Sequence, residues 1–250
     1  MSRFFISLAC IALYGFTYGQ SKPIDLQPKD TVARTDKYGI RLGVDLSRPV
    51  LSFATDGYTG IEFVADYRLT KKLWLAGELG NEERTDQEDL YNFTTSGSYL
   101  KLGVDYNTYQ NWYGMHNSIT VGGRYAFSTF SQTLNNYQVF DSDRYFSPDG
   151  FVLGSDESEE FSGLNASWLE MVVGMKAELF ANIYLGASIR LAHLVTNSED
   201  DRFPNLWIPG FNKITDNSKW GVGYNYSISY FLPLYKKAKK QQEAETDEGQ

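Results

Sequence analysis

Thirteen charged side chains recur at alternate positions of segments that are otherwise apolar, and they are the first candidates for chemistry in this chain. The six cations and seven anions of the set are Arg41, Arg68, Lys101, Arg124, Lys176, Arg190, Asp45, Glu62, Asp66, Glu78, Asp105, Glu170 and Glu178. Charges that are enclosed together interact strongly, because the dielectric around them is reduced. A ring of one sign would favour an ion-selective pore. The near balance of signs predicts mutual salt bridges that fill the space between the side chains.

A catalytic base is the second kind of chemistry to consider, and the chain has two histidines, His116 and His193. His193 precedes an acidic run at residues 199–201, an arrangement that a surface enzyme could use. It alternates in step with Leu191, however, which places its ring on the apolar side of its segment. The sequence also lacks a metal-binding His/Cys cluster, a phosphate-binding glycine loop and a nucleophile elbow. We therefore predict no catalysis and no cofactor, with a surface enzyme using His193 as the weaker alternative.

Eight segments with a period of two must position these side chains. They cover residues 38–46, 60–69, 73–80, 99–106, 118–128, 168–179, 183–194 and 220–232. In the first segment, Ile40, Leu42 and Val44 share one face, and Arg41 and Asp45 share the other. No stretch is long and apolar enough to cross a bilayer as a helix. The pattern predicts an all-β fold, an eight-stranded antiparallel up-and-down transmembrane β-barrel with its charged set facing the lumen.

The size of such a barrel bears on its function. Eight strands leave an interior just wide enough for side chains to fill, which predicts a closed, salt-bridged lumen. A narrow channel or a conduit for hydrophobic solutes is the alternative, and a continuous water path through the lumen would favour it.

The connections between the segments alternate in length and predict an orientation. Short connections at 70–72, 107–115 and 180–182 are expected in the periplasm, and long ones at 47–59, 81–97, 129–165 and 196–219 outside the cell. The long connections are rich in carboxylates, which predicts either a Ca²⁺ or lipopolysaccharide site or a solvated loop. They also carry aromatic residues that indicate either a folded cap or a recognition surface. These are Tyr91, Phe93, Tyr137, Phe140, Tyr145, Phe146, Phe151, Phe203, Trp207 and Phe211.

The two ends of the chain differ in composition from the barrel. Residues 1–19 combine Arg3 with an apolar run and small residues before Gln20, which predicts a cleaved secretory signal peptide. Acylation of Cys10, as in a lipoprotein, is the alternative. Residues 20–37 are predicted to be a polar periplasmic lead-in, residues 38–235 the barrel, and residues 236–250 a disordered charged periplasmic tail.

Composition supports an exported barrel and argues against one class of partner. Mean hydropathy is only −0.38 although aromatic residues reach 16%, as expected when alternate strand residues are polar and aromatic girdles mark the membrane interfaces. The formal net charge is −8, and it becomes 22 − 31 = −9 when Arg3 leaves with the signal peptide. A net-acidic protein is a poor candidate for binding nucleic acid.

The last segment, residues 224–232, carries spaced aromatic residues at Tyr224, Tyr226, Tyr230 and Phe231. With the strand count and the loop alternation, it makes residues 38–235 resemble the small eight-stranded outer-membrane barrels of the OmpA/OmpX type, and more closely the barrel proteins of Bacteroidota. The resemblance implies a place in the cell outer membrane, insertion by the barrel-assembly machinery and contact with lipid and lipopolysaccharide. It implies a structural or surface-recognition role without catalysis. One departure is that the chain continues beyond the last aromatic residues into a charged tail.

Overall fold

Alternation of apolar and polar residues produces long antiparallel strands that close into a ring. The computed structural model describes residues 35–109, 117–140, 151–155, 158–213 and 218–238. The elements are, in chain order, β1 (Thr35–Asp45), α1 (Ser47–Ala54), β2 (Tyr58–Arg68), β3 (Leu73–Gln87), β4 (Tyr91–Asn107), β5 (Ser118–Phe140), β6 (Phe151–Ser155), β7 (Glu159–Phe180), β8 (Ile183–Asn197), β9 (Trp207–Ile208), β10 (Asn212–Lys213) and β11 (Trp220–Ala238).

Eight of these strands form the barrel. The ring runs β1, β2, β3, β4, β5, β7, β8 and β11, and β11 lies beside β1 to close it. The predicted eight-stranded antiparallel up-and-down barrel is therefore confirmed. The remaining elements belong to the long connections: α1 links β1 to β2, β6 pairs with the far end of β5, and β9 and β10 form a small hairpin between β8 and β11. We call the two ends of the barrel the short-turn end and the long-loop end.

The two faces of each barrel strand differ sharply in polarity. On β4, Leu102 is 54% exposed on the outer wall, whereas the adjacent Lys101 is 1% exposed inside. All eight ring strands contribute exposed apolar residues to the outer wall, including Leu42, Phe63, Leu79, Leu102, Val121, Met171, Ile189 and Tyr224. Within the described ranges, no helix is long and apolar enough to cross a membrane. The apolar outer wall instead matches the hydrocarbon of a bilayer, where a closed barrel satisfies its backbone hydrogen bonds internally.

Two connections that the sequence predicted as loops are largely strand, so these predictions were wrong. Residues 81–97 continue β3 and β4 as a regular hairpin, in which Thr85 faces Thr94. In the 129–165 segment, β5 runs on to Phe140 and β7 begins at Glu159. The apolar alternation ends there because these residues no longer face lipid, although the strand pairing continues. We call residues 81–87, 91–98, 129–140 and 159–165 the projecting sheet.

We expect a leucine-to-arginine substitution to destabilise the protein much more on the lipid-facing wall than in the projecting part of the β3–β4 hairpin. Leu102→Arg should lower the free energy of unfolding by about 2–4 kcal/mol, because its side chain is exposed on the apolar outer wall, where a charge would have to enter lipid. Leu90→Arg, at the tip of the β3–β4 hairpin, should cost only about 0–1 kcal/mol. Urea unfolding in lipid vesicles measures both values. Equal losses would contradict the assignment of the wall.

Candidate functional site

The lumen collects the charged residues that alternation assigned to it. Ten of the thirteen are buried, and Arg68, Lys176 and Glu178 are half-buried towards the short-turn end. The buried members are Arg41, Asp45, Glu62, Asp66, Glu78, Lys101, Asp105, Arg124, Glu170 and Arg190. They come from strands all around the ring, and their side chains meet across its interior.

Glu78 bridges two arginines in the middle of the lumen. Arg190 donates hydrogen bonds from both terminal nitrogens to the Glu78 carboxylate, and its Nη1 lies 3.5 Å from Glu170 Oε2. Arg124 donates two hydrogen bonds of 2.8 and 2.9 Å to Asp105, and its Nε lies 3.5 Å from Glu78 Oε1. Paired carboxylate contacts of this kind are the strongest hydrogen bonds available to arginine. Each charge in this group therefore lies beside an opposite charge.

Lys101 joins this group to the long-loop end. Its Nζ donates to Glu170 Oε1 at 2.9 Å and to the carbonyl oxygen of Gly210 at 3.1 Å. Trp168 Nε1 donates to the same Glu170 oxygen at 2.7 Å, and the Trp168 side chain is completely buried. The lysine is therefore held between a strand carboxylate and the backbone of a long connection.

Asp66 lies between two cations nearer the short-turn end. It accepts a hydrogen bond from Lys176 and lies 3.4 Å from Arg41 Nε. The Arg41 guanidinium also stands 3.9 Å from the centre of the Trp74 ring, which is a cation–π contact. Three buried aromatic rings pack together at this level: Trp74, Tyr184 and Phe231.

Two charged residues that the sequence analysis did not assign to the lumen complete the network. Arg48 of α1 reaches Glu82 at 3.0 Å and Glu62 at 3.7 Å, and both carboxylates are fully buried. Tyr99 donates a hydrogen bond of 2.5 Å to Glu62 and lies 3.1 Å from Glu82. Burial opposes the charge on Arg48, but the neighbouring carboxylates outweigh burial and raise the pKa of its guanidinium well above the usual range.

Glu82 had been predicted as part of an exposed acidic loop, and that prediction was wrong. Because β3 continues beyond Gly80, Glu82 stays in step with Glu78 and points into the barrel. Extending the alternation of β3 by one more pair of residues would have found it. No comparable signal exists for Arg48, because a short helix outside the predicted strands carries it inwards.

A segment of the β8–β11 connection, residues 204–212, folds into the long-loop end, and we call it the inserted loop. The side chain of Gln132 donates to the Pro204 carbonyl at 2.9 Å and accepts from the Leu206 amide at 3.1 Å. Gly210 has φ of +82°, and a Cβ there would lie 2.6 Å from the Tyr99 ring, so both conformation and space require glycine. The inserted loop contributes Ile208 and Phe211 to a buried apolar cluster, whose other members include Tyr99, Phe130, Phe161, Leu164, Trp168 and Leu194.

The structure favours the folded-cap interpretation for several of the loop aromatics. Phe93, Trp207 and Phe211 are only 3–7% exposed and pack inside the long-loop end. Tyr137 is 37% exposed. Tyr145 and Phe146 lie outside the described residues, as do the side chains of Phe140 and Phe151.

His193 lies on the outer wall, as its alternation predicted. Its ring centre is 4.5 Å from that of Trp220, and its Nδ1 has no hydrogen-bond partner among the described residues. His193 and Trp220 therefore form an aromatic pair on the outer wall. His116 lies outside the described residues. The described part of the chain also contains no group of three His, Cys, Asp or Glu side chains that could hold a metal ion.

The spaces left within the lumen are small. Three cavities of about 30, 40 and 70 Å³ lie in the middle, at the short-turn end and beside the inserted loop. Each has room for a few water molecules at most. The ion network and the inserted loop occupy the lumen at two levels.

We expect the loss of an arginine inside the network to lower the free energy of unfolding far more than the loss of an arginine on the surface. Arg190→Met should lower the free energy of unfolding by about 3–5 kcal/mol, because Glu78 and Glu170 would lose the cation that they share and stay buried with only part of their charge compensated. Arg202→Met removes ion pairs with Glu159 and Asp200 at a side chain that is 64% exposed, and should leave stability nearly unchanged. Urea unfolding measures both, and similar losses would contradict a tightly coupled interior.

Conductance tests whether the lumen is closed. The unmodified protein should pass no steady current in planar bilayers. Replacing residues 206–211 with a short flexible linker should also leave the barrel closed, because the ion network remains. Combining that replacement with Arg190→Ala and Glu78→Ala should produce conducting events. Steady single-channel currents from the unmodified protein would contradict the two-level seal.

Comparison with known proteins gives a family and two distant structural similarities. A family model described as a domain of unknown function, DUF6048, matches residues 1–237. The chain is similar to the attachment invasion locus protein Ail of Yersinia pestis, with 10% identity, a TM-score of 0.39, and 78% of this chain and 97% of that one covered. It is also similar to CarO2 of Acinetobacter baumannii, with 12% identity, a TM-score of 0.31, and coverages of 80% and 100%. No curated protein matches it. The chain belongs to the DUF6048 family.

Proposed function

We propose that this protein is a non-catalytic outer-membrane β-barrel that presents the projecting sheet at the cell surface for recognition. The observation that carries the proposal is the length of the strands on one side of the barrel. A barrel strand needs about 9–11 residues to cross a bilayer. β5 has 23 residues and β7 has 22. In β5 the excess of about 12 residues corresponds to roughly 40 Å of strand beyond the membrane.

The orientation follows from the connections. Short turns of outer-membrane barrels face the periplasm, so the projecting sheet would stand outside the cell. The filled lumen supports an anchoring role over a channel. The exposed tyrosines of β11, including Tyr224 and Tyr226, support insertion by the barrel-assembly machinery.

One face of the projecting sheet is buried against the rest of the long-loop end. Phe93 packs with Tyr58 and Trp207, and the Arg84 guanidinium stands 4.4 Å from the centre of the Trp207 ring. These contacts hold the sheet in place. They leave its opposite face available for binding.

The opposite face is polar, and its centre is uncharged. Thr85, Thr94 and Thr133 lie side by side on three neighbouring strands. The hydroxyl oxygens of Thr85 and Thr94 are 2.8 Å apart, and Asn135 donates to Thr94 at 3.0 Å. Exposed carboxylates form the rim of the face: Glu83, Glu88, Asp89 and Glu160.

The chemistry of this face suits a hydroxyl-rich ligand, because rows of Ser, Thr and Asn side chains both donate and accept hydrogen bonds. We therefore propose the sugars of lipopolysaccharide as the partner. Calcium ions would link its phosphates to the carboxylate rim, since Ca²⁺ binds carboxylate oxygens.

A charge placed in the centre of the threonine row should test this role. Thr133→Lys should weaken binding of purified lipopolysaccharide at least tenfold, because a long cation would cover the face. Thr55→Lys provides the control, since it makes the same change in the connection after α1 at the same end of the barrel. Isothermal titration in detergent, with and without calcium, measures both. Equal affinities for the two variants and the unmodified protein would contradict recognition by this face.

A further inference from the structure

We propose that α1 is an interfacial membrane helix, whose outer face contacts the acyl chains of the lipid bilayer. The helix links β1 to β2 at the long-loop end, where the apolar wall gives way to the projecting sheet. The inference rests on the proposed outer-membrane barrel. It concerns a surface outside the barrel strands, and it is separate from the polar face proposed for recognition.

The outer face of α1 is apolar and strongly exposed. Phe53 is 93% exposed and Val50 is 61% exposed, and Leu46, just before the helix, is 36% exposed. These positions recur at intervals of four and three residues, so their side chains lie on one side of the helix. Contiguous exposed apolar residues mark contact sites for membranes or proteins. Phe53 has the most exposed large apolar side chain in the described part of the chain.

The inner face of α1 is polar and belongs to the barrel. Arg48, the only charged residue of the helix, points into the lumen and pairs with Glu82 and Glu62. The hydroxyl of Ser47 donates to the Asp45 carboxylate at 2.6 Å. These contacts fix the rotation of the helix about its axis. The apolar face therefore points away from the lumen.

The contacts of α1 with β11 place its beginning beside the apolar wall. The Leu46 amide donates to the Tyr226 carbonyl at 2.6 Å, just beyond the end of β1. From Tyr226, β11 continues towards the long-loop end as far as Trp220. Its outward side chains over this stretch are all apolar or aromatic and 52–70% exposed: Tyr224, Val222 and Trp220. The helix therefore begins at a level where the adjacent strand still presents apolar side chains to lipid.

The contacts of α1 with β2 place Phe53 near the edge of that wall. The Gly60 amide donates to Ser52 Oγ at 3.0 Å, and Ser52 directly precedes Phe53. Ile61, which follows Gly60, is the outermost apolar residue on the outer face of β2, and Thr59 continues this face beyond it. Phenylalanine on the apolar face of an interfacial helix inserts into the boundary between headgroups and acyl chains.

The chain leaves this boundary soon after the helix ends. The Gly57 carbonyl accepts a hydrogen bond of 2.7 Å from the Thr85 amide, which belongs to the projecting sheet. Asp56, immediately before Gly57, is exposed. Lipid contact is therefore confined to residues 46–54, and Asp56 provides a control position in the same connection.

Spin labels on single cysteines test the contact in phosphatidylcholine vesicles, with the full chain carrying Cys10→Ser. Labels at Val50→Cys and Phe53→Cys should be readily accessible to oxygen, which dissolves in lipid. They should be several-fold less accessible to a water-soluble nickel chelate than a label at Asp56→Cys, the matched control. All three positions are exposed, so labelling leaves the packing of the barrel intact.

Two reference labels distinguish failure of this inference from failure of the proposed function. Leu102→Cys reports the outer wall, and Leu90→Cys reports water at the tip of the β3–β4 hairpin. If Leu102→Cys is protected from nickel but Phe53→Cys is as accessible to it as Leu90→Cys, the membrane contact of α1 is overturned and the barrel remains in the bilayer. Protection of Phe53→Cys from both reagents would indicate a protein contact and would also overturn it. Nickel access at Leu102→Cys would contradict the membrane barrel itself, and with it the inference.

Discussion

The rest of this structure depends on charge compensation inside the closed ring of strands. Six cations and seven carboxylates lie in the lumen when Arg48 and Glu82 are counted with the buried residues of the predicted set and Lys176. A buried ion costs several kcal/mol of desolvation unless a partner and hydrogen bonds offset it. In this network, one carboxylate can pair with two cations. Glu78 forms ion pairs with Arg124 and Arg190, and Glu62 forms ion pairs with Arg48 and Arg190. Because Glu62 of β2 and Glu78 of β3 both pair with Arg190 of β8 across the ring, these contacts fix the relative positions of distant strands as well as filling the space.

The inserted loop continues the same principle at the long-loop end. It does not simply cover the opening with apolar residues, because its backbone takes part in the network. The Gly210 carbonyl accepts from Lys101, and the Gly210 amide donates to Glu82 at 3.2 Å. A loop can come this close only where a glycine allows the backbone conformation and leaves room for the Tyr99 ring. From Gly210 towards the long-loop end the contacts are mainly apolar, and from Gly210 towards the middle of the lumen they are mainly ionic.

The two ends of the barrel therefore offer different surfaces. At the long-loop end, four strands continue beyond the apolar wall and expose a polar face, whereas their other face is used for packing. At the short-turn end, aromatic rings and cations line a small open cavity. The barrel wall between them is apolar outside and charged inside.

The sequence by itself determined the strand number, the ring and the polarity of each wall, because a period of two is a local property that the backbone enforces residue by residue. It failed at residues 81–97, where the strands leave the lipid and lose their apolar face while their pairing continues. Only the tertiary structure decided which charges meet. Arg190 and Glu78 are 112 residues apart in the chain, and their contact depends on the stagger of strands around the closed ring. It also decided the positions of Arg48 and the inserted loop, because the path of a connection depends on the space that the barrel leaves for it.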